Sequence, residues 1–266
     1  MCFIKTDPND VPPFDRAGSG SSYKQVVGRA LPLLTLTGTS LVLAAGVALA
    51  ANITCPPQTG GVECVGTNND DEITGTAKDD IIRGRRGNDL VDGGPDNDMI
   101  RGGPDDDTLR GGDGDDRHLF YALGGPADWG RDTIDDPVGS NTLTFSGVTT
   151  PLRLEFVASP AVAEARSGKN TLNFPATFTV TDADGGTADD VILGNDRDNN
   201  LNGVDGNDFL DGRLGVDELN GAGGDDTIYA VDGAADMVDC GPGTDTVYAD
   251  VGAVNDLLTD CENLNP

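Results

Sequence analysis

Aspartate recurs at every ninth residue in two stretches of this 266-residue chain, and this spacing is the feature with the most chemical content. Carboxylates and main-chain carbonyls are hard oxygen donors. Calcium suits them best because it accepts six to eight oxygens in a flexible shell, whereas magnesium demands octahedral geometry and retains water. Softer metals would need nitrogen or sulfur ligands, which these stretches lack. The recurring residues are Asp71, Asp80, Asp89, Asp98, Asp107 and Asp116, followed by Asp190, Asn199, Asp208, Asp217, Asp226, Asp236 and Asp245.

These residues occupy the sixth position of nonapeptide units that begin with glycine and carry an apolar residue at the eighth position. Six units run without a gap over 66–119, and His118 is the one exception to the apolar eighth position there. Five more units begin at Gly185, after which the register slips by one residue and recovers in Cys240–Tyr248. A merely solvated acidic face would not keep phase with glycine and an apolar residue, so the pattern indicates a repeat fold.

Each unit predicts one turn followed by one short strand. Gly, Asn and Asp tolerate the backbone conformations of a turn, and in the last three residues only the eighth side chain points inward. Two units then form one coil of a flattened solenoid, with coils separated by about 4.8 Å. We therefore predict an all-β protein in which two parallel β-rolls, 66–119 and 185–248, are joined by a short β-rich capping insert, 120–184.

The repeats are predicted to need a cation in order to fold. Ordering nine residues costs on the order of 13 kcal/mol, at about 1.5 per residue. Burying one Ile or Leu returns only about 1.5–3 kcal/mol. Stacked turns also bring like-charged carboxylates together. The net charge of −29 has the same implication, because it predicts cations as partners and excludes the basic face that a nucleic-acid-binding protein requires.

The units resemble the RTX, or hemolysin-type, calcium-binding nonapeptide repeat, whose consensus is G-G-x-G-x-D-x-U-x with U a large apolar residue. The best copies are Gly93–Arg101, which reads GGPDNDMIR, and Gly203–Asp211, which reads GVDGNDFLD. The resemblance implies a parallel β-roll in which each calcium ion lies between turns two units apart. It implies ligation by turn carbonyls and by Asp71, Asp80, Asp89, Asp98, Asp107, Asp116, Asp190, Asp208, Asp217, Asp226, Asp236 and Asp245.

Some units depart from the consensus. Arg85-Arg86 and Arg213-Leu214 replace the second and third residues of their units, and Lys78 occupies a fourth position. A cation in the turn is expected to weaken ion binding nearby. Asn199 carries no charge at the sixth position, which places a site there in doubt. The resemblance implies about four ions in the first array and three to five in the second.

The N-terminal 50 residues are predicted to be an extension followed by a secretory signal. Lys24 and Arg29 precede an apolar run, and Ala48-Leu49-Ala50 fits a signal cleavage site. An uncleaved membrane anchor is the alternative interpretation. Four cysteines remain after residue 50, and their proximity favours Cys55–Cys64 in an N-terminal cap, 51–65, and Cys240–Cys261 near a C-terminal cap, 249–266. A zinc site is less favoured because the chain has no Cys-x-x-Cys and no nearby histidine.

The function predicted from these observations is a secreted, extracellular calcium-binding protein without catalytic activity. The chain has no His-Glu-x-x-His motif, and no Gly-x-Ser-x-Gly motif with a spare histidine. His118 and Trp129 are interpreted as structural residues at the end of the first roll. Two alternatives stay open, namely an adhesion or matrix protein assembled by calcium, and a calcium-dependent hydrolase acting through 120–184. No contact with nucleic acid or, after signal cleavage, with a membrane is expected, whereas a protein or polysaccharide partner is left open.

Overall fold

The computed structural model describes residues 50–56, 63–120, 129–156, 164–167, 170–173, 180–251 and 256–265. The predicted extension and signal, up to residue 49, lie outside these residues. All regular structure in the described residues is β-strand, in 23 short segments. Correspondingly, this part of the chain has no helix suited to crossing a membrane.

The strands are short because each is limited to the end of one repeat unit. In chain order they are β1 (Asn52–Thr54), β2 (Cys64–Val65), β3 (Glu72–Thr74), β4 (Ile81–Arg83), β5 (Leu90–Pro95), β6 (Met99–Arg101), β7 (Thr108–Asp113), β8 (Arg117–Leu119), β9 (Arg131–Ile134), β10 (Asn141–Thr144), β11 (Arg153–Glu155), β12 (Glu164–Ser167), β13 (Asn170–Asn173), β14 (Val180–Asp184), β15 (Val191–Leu193), β16 (Asn200–Asn202), β17 (Phe209–Asp211), β18 (Glu218–Asn220), β19 (Thr227–Ala230), β20 (Met237–Asp239), β21 (Thr246–Ala249), β22 (Leu257–Thr259) and β23 (Asn263–Asn265).

Successive strands alternate between two sheets, as expected of a flattened solenoid. The larger sheet has 13 strands, in the order β1-β3-β5-β7-β9-β13-β12-β11-β15-β17-β19-β21-β23. The smaller sheet has 10 strands, in the order β2-β4-β6-β8-β10-β14-β16-β18-β20-β22. Within the arrays every pairing is parallel. Strands one coil apart align residues separated by 18, such as Ile73 with Val91, or by 19 where the register slips, as between β18 and β20. The predicted parallel β-roll is confirmed, and it has about ten coils.

The core lies between the two sheets and consists of two rows of eighth-position side chains, one row from each sheet. Each strand turns this residue inward and its two neighbours outward, so a three-residue strand contributes only one core side chain. Every one of these side chains in the two arrays is buried. They are Ile73, Ile82, Val91, Ile100, Leu109, His118, Ile192, Leu201, Leu210, Leu219, Ile228, Val238 and Val247.

The insert continues both sheets from one array to the other. In the smaller sheet β10 pairs with β8 and β14, and β14 pairs with β16, so the sheet has no break. In the larger sheet β9 is followed by β13, β12 and β11, whose mutual pairings include the only antiparallel contacts of the described strands. Trp129 is buried here, with its ring centroid 5.7 Å from Phe120 and 5.6 Å from Phe145. The aromatic cluster fills the core where the nonapeptide pattern stops.

Both predicted disulfides are present. Cys55–Cys64 links the strand ends of the first coil, and Cys240–Cys261 joins the final coils of the roll. Each bond shortens the free loops at one end of the solenoid, where fewer neighbouring coils hold the chain in place.

Candidate metal-binding turns

The sixth-position aspartates lie at the last residue of each turn, directly before a strand, and all twelve predicted ligands are at most 3% exposed. Burial of an isolated carboxylate is unfavourable unless it is neutralised or hydrogen-bonded. The hydrogen-bond partners of each carboxylate oxygen therefore determine what these turns can bind.

One carboxylate oxygen, Oδ1, joins neighbouring coils along both arrays. The backbone N–H of Asp71 donates to Asp89 Oδ1 at 2.8 Å, and the N–H of Asp89 donates to Asp107 Oδ1 at the same distance. The same contact joins Asp80 to Asp98 and Asp98 to Asp116, and it recurs through the second array. We call this series the sixth-position ladder. It is a structural role that phasing alone did not predict.

The other oxygen separates the turns into two kinds. In a closed turn, the backbone N–H of the second residue donates to the sixth-position side chain. The closed turns are Thr67 with Asp71, Thr76 with Asp80, Gly186 with Asp190, and Asn195 with Asn199, at 2.5–2.8 Å. In an open turn, Oδ2 is buried and has no hydrogen-bond partner among the described residues. The open carboxylates are Asp89, Asp98, Asp107, Asp116, Asp208, Asp217, Asp226, Asp236 and Asp245.

The backbone conformation of the second residue decides between these two kinds. It has a positive φ in the open turns, with values such as 90° at Arg85, 109° at Gly94 and 87° at Val204. None of the four closed turns has a positive φ at this position. A positive φ rotates the peptide so that its N–H faces away from the carboxylate, and the N–H of Arg85 donates to the carbonyl of Gly102 instead, at 2.8 Å. Asp236 is open without this feature, in the unit where the register slips.

In an open turn the free carboxylate oxygen lies beside a carbonyl oxygen from the next coil. At Gly84, a Cβ atom would collide with Asp89 Oδ2 and would lie 2.7 Å from the carbonyl oxygen of Gly102. The arrangement at Gly203 is the same, with Asp208 Oδ2 and the carbonyl of Gly221. The first-position glycine thus keeps open a small space towards which oxygens of two coils point. Such a mixed set of carboxylate and carbonyl donors fits calcium.

Burial raises the pKa of the open carboxylates, and neighbouring aspartates raise it further. The pKa is about 7 for Asp89, Asp98, Asp208 and Asp217, and about 8 for Asp107. It is about 6 for Asp116, Asp226 and Asp236. Backbone hydrogen bonds from the ladder lower these values but do not overcome desolvation. Without a bound cation, the open carboxylates are therefore partly protonated near neutral pH.

No group of three His, Cys, Asp or Glu side chains in the described residues is arranged to hold a metal ion by side chains alone. An ion in an open turn would therefore need the main-chain carbonyls in addition to the carboxylate. The structure places all twelve predicted ligands at equivalent points of their turns, but it leaves Oδ2 unpaired in nine of them and paired in Asp71, Asp80 and Asp190.

Four further residues extend the sixth-position ladder and were missed in the sequence. Asp132 accepts from the N–H of Asp107, and Asn141 accepts from that of Asp116, both at 2.9 Å. At the other end of the roll, Asp256 and Glu262 accept from Asp236 and Asp245. Asp132 has the local pattern of a sixth-position aspartate, because it lies two residues before the buried Ile134. It falls outside the nine-residue period because its coil contains 25 residues instead of 18. Burial raises the pKa of Asp132 to about 10.

A second series of hydrogen bonds runs through the fifth position in the opposite direction along the chain. The side chain of Asp70 accepts from the N–H of Asn88 at 2.8 Å, and the side chain of Asn88 in turn accepts from the N–H of Asp106 at 3.2 Å. Asp189, Asn207 and Asp225 continue this fifth-position ladder in the second array. Its signal is the recurrence of Asp or Asn just before the sixth-position residue, which is broken at Val216, Ala235 and Thr244.

His118 fills the eighth position of the last unit in the first array and is fully buried. Its Nε2 lies 2.9 Å from Oδ2 of Asp136, which is also fully buried. This contact allows a polar ring to occupy a core position. It is consistent with the structural role predicted for His118.

The fold and these turns together define a calcium-binding type of parallel β-roll, in which carboxylates are buried between coils and face main-chain carbonyls. The family model for the RTX calcium-binding nonapeptide repeat (4 copies) matches residues 65–100, 92–117, 184–219, 193–228 and 203–235. Both arrays therefore contain RTX calcium-binding nonapeptide repeats, as the resemblance in the sequence predicted. No curated protein matches the chain.

Proposed function

We propose that this chain is a secreted protein that binds several calcium ions in its open turns and folds as they bind, with no catalytic activity of its own. The observation that carries the proposal is the buried, unpaired Oδ2 of the open turns, which lies beside a carbonyl oxygen of the next coil. The calcium-binding nonapeptide repeats in both arrays support the identity of the ion.

The ion supplies what the polypeptide lacks at these positions. A divalent cation between two coils neutralises carboxylates whose raised pKa reflects desolvation and mutual repulsion. Because the site requires two adjacent coils, the unfolded chain does not contain it, and binding free energy becomes folding free energy. One ion for each open turn would give four in the first array and five in the second.

Secretion is supported by the apolar segment before residue 50 and by the two disulfides. Calcium-coupled folding suits this location, because low calcium would keep the chain unfolded before export and higher calcium would fold it afterwards. N-terminal sequencing of the protein from culture medium tests both export and cleavage. A new N-terminus close to Ala51 is expected, whereas protein retained in the membrane fraction would contradict the proposal.

Circular dichroism during a calcium titration, with magnesium as the control, tests ion-coupled folding. A cooperative gain of β signal with calcium, reversed by chelator, is expected. Isothermal titration calorimetry of the same sample would count the ions. A chain that is fully folded in chelator and unresponsive to calcium would overturn the proposal.

A further inference from the structure

The outer face of the smaller sheet is divided into a basic half and an acidic half. In the first array the outward residues of β4, β6 and β8 include Arg83, Arg101 and Arg117, together with Ile81 and Met99. This concentration of arginine contrasts with the net charge of −29 for the whole chain. We refer to these five residues as the arginine patch.

The second array presents the opposite charge on the same face. The outward residues of β18 and β20 include Glu218 and Asp239, and Met237 and Leu257 lie alongside them. We refer to these four residues as the acidic patch. Asp182 and Asp184 of β14 add negative charge between the second array and the centre of the sheet.

The side chains of both patches are accessible to a partner. Met99, Met237 and Leu257 are 36%, 48% and 64% exposed. The charged members Arg117, Glu218 and Asp239 are exposed as well, whereas Arg83 and Arg101 are half-buried. The acidic patch combines flexible apolar side chains with negative charges, and the arginine patch combines them with three arginines, of which Arg83 also pairs with Glu63. Such surfaces suit a protein partner of opposite charge.

We propose that the partner is a second copy of this chain, with the two smaller sheets packed face to face and related by a two-fold axis. The axis runs parallel to the strands at the centre of the sheet, so the order of the 10 strands places β4 opposite β20 and β6 opposite β18 of the other copy. The arginine patch of each copy then covers the acidic patch of the other.

The strand registers align particular residues across this axis, because the axis preserves strand direction. Ile81 and Met237 both begin their strands, and Arg83 and Asp239 both end theirs. Ile81 of one copy therefore meets Met237 of the other, and Arg83 meets Asp239. Each of these contacts occurs twice in the dimer.

The dimensions of the face predict a weak, salt-sensitive dimer. Ten strands spaced by about 4.8 Å, each about 10 Å long, give about 480 Å² for each copy, or about 960 Å² in total. Interfaces below about 1,200 Å² are typical of transient complexes. Opposite charges also dominate the pairing, and salt screens them. A dissociation constant in the micromolar range or weaker is expected, rising with ionic strength.

Sedimentation velocity of the calcium-loaded protein, from micromolar to near-millimolar concentration, tests the inference with charge reversals. Arg83→Glu and Asp239→Arg should each weaken self-association at least tenfold, because each places like charges in contact twice per dimer. An equimolar mixture of the two variants should associate again. In the mixed dimer, the glutamate introduced at position 83 faces the arginine introduced at position 239, and the second contact is unaltered. Restoration in the mixture is specific to a contact between position 83 of one copy and position 239 of the other.

Arg110→Glu is the matched control, because Arg110 lies on the larger sheet, away from the proposed interface. Both arginines form an ion pair, Arg110 with Asp135 at 3.3 Å and Arg83 with Glu63 at 2.5 Å. It should leave association unchanged. Circular dichroism in calcium checks that every variant folds. A wild-type protein that stays monomeric throughout, or reversals with no more effect than Arg110→Glu, would overturn the dimer. A folded monomer would at the same time leave the proposed calcium-dependent folding intact.

Discussion

The opening coil of each array differs from the coils that follow it. Both arrays begin with two closed turns, which together make one coil, and then continue with open turns. In the opening coil, the second-position N–H donates from within the turn to one oxygen of the sixth-position side chain, although Oδ1 of Asp80 has no partner among the described residues. In later coils the equivalent N–H faces elsewhere, and the carboxylate oxygen is left to a partner that the polypeptide does not supply.

The comparison shows that a regularly recurring aspartate need not imply an ion site. Asp71 and Asp98 occupy the same place in their units, and each accepts from a backbone N–H of the preceding coil through Oδ1. They differ because Thr67 donates its N–H to Asp71, whereas Gly94, with φ of 109°, does not donate to Asp98. The backbone therefore selects which carboxylates are available, and the following predictions test that selection.

The largest effect is expected from calcium removal at different pH values. The folded pKa of Asp89 and Asp98 is about 7, against an ordinary value of 3.8, so without calcium the folded state binds more protons than the unfolded chain between these values. The free energy of unfolding should therefore fall as pH rises from about 4 to about 7. In chelator, the β signal in circular dichroism should be retained in mild acid and lost above neutral pH.

Saturating calcium should remove this dependence, because the ion takes the place of the protons on the folded-state carboxylates. The calcium concentration needed for folding should thus be lowest in mild acid and rise towards a plateau above neutral pH. Equal folding of the chelated protein in mild acid and above neutral pH would contradict the role assigned to the open turns.

Replacing one carboxylate of each kind should have a smaller and more local effect. Asp98→Asn keeps an oxygen for the N–H of Asp80 but loses the free Oδ2, so calorimetry should show the loss of at least one ion and an affinity about tenfold lower for its neighbours. Asp71→Asn is the control. It should cost about 1 kcal/mol by weakening a hydrogen bond, with the number of ions unchanged. Equal ion loss in both variants would abolish the distinction between open and closed turns.

Glycine substitutions at the second position should separate the two kinds of turn by the sign of a modest effect. Val204 has φ of 87°, a strained conformation for a β-branched residue, so Val204→Gly should stabilise the calcium-loaded protein by about 1 kcal/mol. Thr67→Gly, in a closed turn without positive φ, should instead destabilise by about 1–2 kcal/mol, because it adds backbone freedom and removes the hydrogen bonds of Thr67 Oγ1 with Asp71 and Asn69. Thermal denaturation in saturating calcium measures both. Stabilisation by both substitutions would show that backbone strain does not distinguish the turns.

The smallest effect is expected at Val216, one of the breaks in the fifth-position ladder. Val216 donates its N–H to Asp198 at 2.8 Å but offers no side-chain acceptor to the following coil. Val216→Asn should extend the ladder and stabilise by about 0.5 kcal/mol, because this side chain is exposed and has little packing to lose. Val216→Ala serves as the control in chemical denaturation. An asparagine variant no more stable than the alanine variant would limit the ladder to its present members.

The repeat geometry could be predicted from the sequence, because one nonapeptide pattern gives both the length of the repeat and the position of its buried side chain. The phase of Ile73, Ile82 and their equivalents predicted which side chains are buried, and the proximity of Cys55 to Cys64 predicted their pairing. In these cases one local rule, repeated, determines the fold.

The division of the turns was not predictable in the same way. The N–H of Gly186 closes its turn, whereas Gly94 and Gly112 lie in open turns with positive φ, although all three are glycine at the second position. The choice depends on the neighbouring coil and not on residue type. Asp132 and Asn141 were missed because coils of irregular length carry them, so no fixed period connects them to the arrays.

The closed opening coils predict the order in which the coils of each array fold. The opening coil leaves no Oδ2 unpaired in its turns, so it needs no ion at these oxygens, and it presents backbone donors and acceptors on its C-terminal side. The next coil then completes an ion site against these donors and acceptors, and each added coil prepares the surface for its successor. We therefore expect the coils of each array to fold in sequence from its N-terminal end. The two arrays then have two separate starting points in one continuous roll.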